Sequence, residues 1–266
     1  MPITSLMVNL LKSRYRNLIM LLTIIICIGL PKANAAQTLP LRIAVASNFA
    51  PVLTQLAPLF TEQSGIKMQI ISSATGALYQ QIVHGAPFDV FMAADAVRPQ
   101  KLIEQQLAIM ASKRTYAKGV IAYWSSSSPQ PALKQLMNTD TRLGIANPDI
   151  APYGKAAKQA LQHLGVWEQY QHNLIIGINI NQTFQQIRSK AVKSGIVALS
   201  QLKLNGLSGA IIPANYHQPI EQQLVIISAS KQQEHAKKFR DFIMSQTIQN
   251  RIAQHGYITQ DEEVIQ

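Results

Sequence analysis

The chain has 266 residues, of which 47% are hydrophobic and only 14% are charged, and its formal net charge is +11. This composition excludes a disordered or coiled-coil protein, and the length is enough for one large domain or two smaller lobes. The positive charge indicates an anionic partner, but we exclude nucleic acid because the basic residues are scattered and form neither a basic helix face nor a basic–aromatic stripe.

The N-terminal segment 1–35 predicts a cleaved secretory signal peptide. Three basic residues within 12–16 precede an uncharged apolar run at 17–30, which is too short for a comfortable membrane span. The sequence Ala-Asn-Ala at 33–35 is a small-x-small cleavage site. We therefore expect an exported protein whose mature chain begins at about Ala36.

Two alternatives for this segment are less well supported. An uncleaved membrane anchor does not suit the short apolar run, and lipid attachment at Cys27 does not suit the large Ile26 before it. Cleavage would remove four of the 24 basic residues, none of the 13 acidic residues and the only cysteine, leaving a net charge of +7. Such a chain has neither a disulfide nor a thiol nucleophile.

Apolar runs and helical periodicities alternate along the next part of the chain. They predict, in order, a strand at 41–49, a helix at 51–65, a strand at 66–71, a helix at 76–85, a strand at 88–95 and a helix at 96–107. Strict alternation predicts a parallel sheet with helices on both faces. Ligands of such sheets bind beyond the carboxyl ends of the strands, near helix N-termini.

A second group of similar units follows. It comprises a strand, loop and helix at 118–136, two strand–turn–helix units at 142–165 and 173–195, and short strands at 195–202 and 209–214. A strand at 222–230, two helices at 231–256 and a polar tail at 257–266 complete the chain. We expect two α/β lobes facing a cleft, with lobe 1 formed by 36–116 and 222–266 and lobe 2 formed by 117–221.

The residues that usually carry catalysis or bind metal cations do not assemble in the sequence. The six histidines have no metal-ligand spacing, and neither a G-x-S-x-G elbow nor a phosphate-binding P-loop occurs. Asp89 and Asp95 bracket one predicted strand, so helix capping is a better interpretation of them than paired acid–base chemistry. We therefore predict no enzyme activity, no cofactor and no metal-cation site.

Small hydroxyl or amide residues, or a Pro-Tyr-Gly turn, mark four predicted strand-to-helix junctions. They are Ser47-Asn48, Ser73-Ala74-Thr75-Gly76, Pro152-Tyr153-Gly154 and Asn179-Ile180-Asn181. Each junction alone is best explained as a helix cap. Several helix N-termini converging on one cleft would, however, bind an oxyanion through neutral N–H and O–H donors.

Several stretches of the sequence resemble the periplasmic molybdate-binding proteins of ABC importers. The resemblance runs from about residue 41 to the end, and its most specific stretches are "GAPFDVFMAAD" at 85–95 and "ANPDIAPYGKAA" at 146–157. It implies the two-lobed type II periplasmic binding fold, with a mixed sheet flanked by helices in each lobe and the ligand cleft at the hinge. It also implies a monomer that captures molybdate or tungstate and delivers it to a membrane permease.

The family's ligand positions transfer to five residues of this chain. The resemblance assigns oxyanion contacts to the side chains of Ser47 and Thr75, to Asn48, and to the backbone N–H groups of Tyr153 and Ile180. Some members add a tyrosine hydroxyl where this chain has Ala198, and Asn48 is the candidate to replace that contact.

Three other functions stay open on the sequence alone. A binder of sulfate or phosphate could use the same fold, because the sequence does not give the cavity radius. An exported hydrolase could use Ser47 or Thr75 as nucleophile, although no triad pattern is present. A structural or adhesin-like protein would bind no oxyanion at all.

Overall fold

The computed structural model describes residues 39–128 and 130–259. The predicted signal peptide, its cleavage site and most of the predicted polar tail lie outside these residues. Within the described ranges, no helix combines the length and the apolar character needed to cross a membrane.

The first lobe is built on a five-stranded mixed sheet in the order β2-β1-β3-β10-β4. Its strands are β1 (Leu41–Ala46), β2 (Met68–Ser73), β3 (Val90–Met92), β4 (Arg114–Gly119) and β10 (Ile220–Ile226). β1 runs parallel to β2 and β3, whereas β10 is antiparallel to both β3 and β4. The strand predicted at 222–230 therefore lies at 220–226, and it runs antiparallel to both of its neighbours.

The second lobe repeats this arrangement in the order β7-β6-β8-β5-β9. Its strands are β5 (Ile121–Ser125), β6 (Leu143–Ala146), β7 (Leu174–Gly177), β8 (Ser194–Ala198) and β9 (Ala210–Ile211). β6 is parallel to β7 and β8, and β5 is antiparallel to β8 and β9. The two groups of units in the sequence thus correspond to two similar sheets.

Nine α-helices flank these sheets in the described residues. They are α1 (Ala50–Ser64), α2 (Thr75–Val83), α3 (Val97–Glu104), α4 (Pro152–His163), α5 (Trp167–Tyr170), α6 (Ile180–Arg188), α7 (Leu199–Leu204), α8 (Gln233–Ile243) and α9 (Gln246–Gln254). α1 ends as predicted at Gly65, whose φ of 73° is left-handed. α3 begins at Val97, two residues before Pro99, because proline is tolerated in the first turn of a helix.

Both faces of each sheet are buried, which explains the continuous apolar runs in the sequence. In β1, Ile43 and Val45 join the core on the side of α1, α8 and α9, and Ala44 joins the core beneath α2 and α3. In β8, Ile196 packs on the side of α4, and Val197 packs on the side of α6 and α7. Alternate residues of one strand therefore serve different cores.

The chain crosses from the first sheet to the second through a single residue. β4 ends at Gly119 and β5 begins at Ile121, so only Val120 separates them. The chain returns to the first sheet at Ile220, where β10 begins. The predicted boundaries at 116/117 and 221/222 fall inside β4 and β10, and the division into domains stays a prediction.

Candidate functional site

All five residues predicted for the site line one small cavity between the lobes. Ser47, Asn48 and Thr75 reach it from the first lobe, and Tyr153 and Ile180 reach it from the second. The cavity is small, with about 10 Å³ open to the centre of a water-sized sphere. The rest of the lining is small or apolar and consists of Ala46, Ala74, Ala94, Ala151 and Pro152.

The turn after β1 supplies Ser47 and Asn48. The register of β1 with β2 extends to the pair Ala46 and Ser73, and the Ser47 N–H continues it by donating to the Ser73 carbonyl oxygen at 2.9 Å. Ser72 and Ser73 therefore belong to the strand, and the predicted strand at 66–71 ends two residues too early. The N–H of Asn48 has no hydrogen-bond acceptor among the described residues.

Thr75 is the first residue of α2, and its hydroxyl is oriented by the neighbouring strand end. The Ala94 N–H donates to Thr75 Oγ1 at 3.1 Å, and the side chain is buried. Because the oxygen accepts this bond, the hydroxyl hydrogen is left to donate to another group. The predicted helix at 76–85 thus begins one residue earlier, and Thr75, with its hydroxyl and free N–H, lines the cavity.

Tyr153 and Ile180 stand at the N-termini of two helices of the second lobe. Tyr153 follows Pro152 in the first turn of α4, and Ile180 is the first residue of α6. In the described part of the chain, neither N–H meets an acceptor, as is usual at the start of a helix. Asn179 caps α6 by accepting from the Gln182 N–H at 2.9 Å, which fixes the position of the Ile180 N–H.

The cavity is therefore rich in donors and contains no formal charge. Its lining residues carry two hydroxyls and four backbone N–H groups without an acceptor among the described residues, and none of the ten residues is ionisable at neutral pH. Helix N-termini carry partial positive charge, so their convergence makes the electrostatic potential favourable for an anion. The described residues contain no group of three or more His, Cys, Asp or Glu that could hold a metal ion.

A cluster of buried polar side chains lies behind the cavity. Asn48 Nδ2 is 2.8 Å from Gln222 Oε1, 3.2 Å from Tyr257 Oη and 3.3 Å from Tyr153 Oη. The Tyr116 hydroxyl donates to Gln222 Oε1 at 3.1 Å, and the Tyr257 hydroxyl donates to the Asn48 carbonyl oxygen at 3.0 Å. The side-chain nitrogen of Asn48 is thus engaged in this cluster.

Burial keeps the tyrosines of this cluster protonated. It raises the pKa of Tyr116 and Tyr153 well above 10.0, and it raises the pKa of Tyr257 to about 12. Neighbouring tyrosines add to the rise for the first two. The cluster is therefore neutral around the cavity at physiological pH.

The sequence prediction missed Gln222, Tyr116 and Tyr257. They lie far apart in the chain, in strands or at the chain end, and they follow no local motif. At Ala198, the N–H donates to Gln201 Oε1, and Gln201 Nε2 donates to the Ile180 carbonyl oxygen, both at 3.1 Å. Gln201 thereby holds the start of α6 beside the end of β8.

The two aspartates flanking β3 have different roles. Asp95 Oδ1 accepts from the Arg98 N–H in the first turn of α3 at 2.9 Å, although Ala96 occupies the N-cap position itself. Asp89 is not a helix cap, because it accepts from the Arg42 N–H at 2.7 Å and from the Ser230 hydroxyl at 2.6 Å. The capping prediction is therefore wrong for Asp89, whose carboxylate ties β1 to the segment before α8.

Besides the hydrogen bonds that Tyr153 Oη accepts from Asn48 and Gln222, two others join the lobes beside the cavity. The Gly76 N–H donates to the Ile150 carbonyl oxygen at 2.9 Å, and Arg98 Nη2 donates to the Asp149 carbonyl oxygen at 3.1 Å. Arg98 also forms an ion pair with Asp95 through Nη1. The cavity therefore lies between lobes that contact each other directly.

Comparison with known proteins shows the family of this chain. A sequence profile described as bacterial extracellular solute-binding protein matches residues 41–258. The chain belongs to this family. The family resemblance inferred from the sequence is confirmed.

Relatives named molybdate-binding protein ModA match most of the chain. The one from Azotobacter vinelandii is 36% identical over 85% of this chain and 92% of its own. The one from Rhodobacter capsulatus is 34% identical over 82% of this chain and 87% of its own.

Solved structures confirm the predicted two-lobed fold. The periplasmic molybdate-binding protein of Azotobacter vinelandii has a TM-score of 0.76 at 35% identity, over 82% of this chain and 98% of that one. The sulfate-binding protein SubI of Mycobacterium tuberculosis H37Rv has a TM-score of 0.70 at 13% identity, over 85% of this chain and 88% of that one. The second likeness concerns the fold alone.

Proposed function

We propose that this protein binds molybdate or tungstate in the periplasm and delivers it, as a monomer, to the membrane permease of an ABC importer. The observation that carries the proposal is the cavity between the lobes, lined by four N–H groups and two hydroxyls without a charged side chain. The relatives named as molybdate-binding proteins support the choice of ligand. Neither a cofactor nor nucleic acid has a part in this function.

The donors divide between the lobes in a way that suits ligand-driven closure. Ser47, Asn48 and Thr75 belong to the first lobe, and Tyr153 and Ile180 belong to the second. An oxyanion satisfies both sets only when the lobes are together, so binding favours the closed arrangement. The permease would recognise that arrangement.

The same chemistry separates molybdate from phosphate and sulfate. Phosphate retains a proton near neutral pH and needs an acceptor, and no carboxylate or imidazole lines the cavity. Sulfate has the charge and shape of molybdate but is smaller. Donors held rigidly for the larger ion would form longer, weaker hydrogen bonds with it.

A hydrolase remains the weaker candidate. A serine or threonine nucleophile needs a base within hydrogen-bond reach, and the cavity lining contains none. Thr75 Oγ1 is instead held by the Ala94 N–H. Absence of turnover of a chromogenic ester by the purified protein would agree with a binding role.

A thermal-shift panel tests the proposal. Molybdate and tungstate at about 100 times the dissociation constant should stabilise the protein by about 2.7 kcal/mol. Sulfate and phosphate at the same concentration should have much smaller effects, and chloride at matched ionic strength serves as the control. Equal stabilisation by sulfate would contradict the selectivity, and no stabilisation by molybdate would contradict the function.

A further inference from the structure

Tyr153 connects the cavity to the point where the lobes join. Its backbone N–H, at the start of α4 in the second lobe, faces the cavity without an acceptor among the described residues. Its hydroxyl lies in the polar cluster of the first lobe, where it accepts from Asn48 Nδ2 at 3.3 Å and from Gln222 Nε2 at 3.2 Å. The backbone of Tyr153 thus lies at the cavity, and its hydroxyl lies in the polar cluster.

The Tyr153 hydroxyl lies against both chain crossings. Gly119 precedes the one-residue crossing at Val120, and a Cβ atom at Gly119 would overlap Tyr153 Oη and Cζ. The same Cβ would lie 3.1 Å from Cγ2 of Ile220, where the chain returns to the first sheet. Both connections between the lobes therefore meet at this hydroxyl.

We propose that the Tyr153 hydroxyl is a positioning group that couples the hinge angle to the donors of the cavity; this rests on the proposed function. Opening the lobes moves α4 away from the first lobe and withdraws the hydroxyl from Asn48 and Gln222. These side chains are 1% and 0% exposed, so each loses a partner that water cannot readily replace. The closed arrangement is favoured accordingly.

Asn48 extends this coupling to the donors of the first lobe. Its side chain contacts the Tyr153 hydroxyl, and its own N–H lines the cavity without an acceptor in the described part of the chain. The hydroxyl therefore positions one donor on each side of the ligand. Burial, which raises the Tyr153 pKa, keeps this hydroxyl neutral throughout the physiological range.

Tyr153→Phe tests the coupling, because it removes the hydroxyl and keeps both the ring and the backbone N–H. Tyr170→Phe is the matched control. Tyr170 is also 1% exposed, and its hydroxyl donates to the Asn138 carbonyl oxygen at 3.0 Å in a part-buried contact within the second lobe. Both variants lose a hydroxyl and its hydrogen bond, but only the first loses a contact between the lobes.

Calorimetry with molybdate and small-angle X-ray scattering give the first readout. Tyr153→Phe should bind molybdate about tenfold more weakly, with a larger radius of gyration at subsaturating molybdate, whereas Tyr170→Phe should bind like the parent. Equal affinity of Tyr153→Phe and the parent, within twofold, would overturn the inference. An equal loss in both variants would also overturn it, since it would reflect a general structural effect.

Hydrogen exchange without any ligand separates this inference from the proposed function. Peptides that cover Gly119 and Val120 should exchange severalfold faster in Tyr153→Phe than in Tyr170→Phe. Failure of the parent protein to bind molybdate would refute the proposed function, and the exchange result would still decide the hinge role. Unchanged exchange in Tyr153→Phe would refute that role.

Discussion

The N–H of Gly76 donates to the carbonyl oxygen of Ile150 at 2.9 Å, joining the first turn of α2 to the loop before α4. A Cβ atom at Gly76 would lie 3.0 Å from this oxygen and 3.0 Å from Arg98 Nη2. Glycine at this position therefore allows the two backbones to approach beside the cavity. This hydrogen bond can form only when the two lobes are in contact.

We expect Gly76→Ala to weaken molybdate binding about tenfold or more without lowering the stability of the ligand-free protein. The new methyl group opposes closure, whereas alanine inside a helix is favoured over glycine by about 1 kcal/mol. Calorimetry and thermal denaturation measure the two effects. Gly144→Ala is the control, because its Cβ meets Ile187 at an ordinary 3.4 Å; equal affinities in the two variants would contradict the expectation.

Substitutions of Thr75 should separate the two bonds of its hydroxyl. Thr75→Val removes the hydroxyl that donates to the ligand, so we expect the affinity for molybdate to fall about tenfold to a hundredfold. It also removes the acceptor of the Ala94 N–H, so we expect the free energy of unfolding to fall by about 1–3 kcal/mol. Thr75→Ser keeps both bonds and should bind nearly normally. Isothermal titration and denaturant unfolding provide the measurements.

Ser47→Ala should affect binding alone. The backbone of Ser47 keeps its bond to Ser73, so the turn after β1 is preserved and only the hydroxyl at the cavity is lost. We expect a loss of affinity of about tenfold, the usual effect of removing a hydrogen bond to a charged ligand. Unchanged molybdate affinity in this variant would remove Ser47 from the site.

Arg98→Met should speed release of the ligand. The variant keeps a long side chain but loses the bond to the Asp149 carbonyl oxygen across the cleft. Stopped-flow measurements should show a dissociation rate severalfold higher, with a smaller change in the association rate. Arg188→Met is the control, since Arg188 bonds to Asn205 within the second lobe and should leave the rate unchanged.

The buried tyrosines predict loss of stability at alkaline pH. Their pKa values are raised in the folded protein, and in the unfolded chain they return to about 10. The stabilisation is therefore complete below pH 10 and is lost as pH rises through the folded pKa, which for Tyr257 is about 12. Above about pH 10, the midpoint temperature of thermal unfolding should decrease as pH rises, and it should decrease less steeply in Tyr153→Phe. A midpoint temperature that increases over this pH range would contradict the assignment.

Local chemistry makes the junctions at Ser47, Thr75, Tyr153 and Ile180 predictable from the sequence, because helix starts require particular residues or leave free N–H groups. The polar partner Gln222 could not be found in this way. Its side chain acquires its partners only when β10 enters the first sheet antiparallel, and that pairing depends on contacts distant in the chain.

Element boundaries show the same limit. β2 continues through Ser73 because its backbone pairs with β1 as far as Ala46, although serines usually indicate a turn. The capping prediction failed at Asp89 because its partners, Arg42 and Ser230, come from distant segments. Tertiary pairing overrides local preference in both cases.

The division of neutral donors between the lobes has a consequence for unloading. When the lobes separate, each retains only part of the coordination shell, and no residue of the cavity lining carries a positive charge that could keep a dianion on either half. A permease that pulls the lobes apart would therefore free the ion without any change of protonation or covalent step. Because the cavity lining is uncharged, separation of the lobes is enough to release the ion.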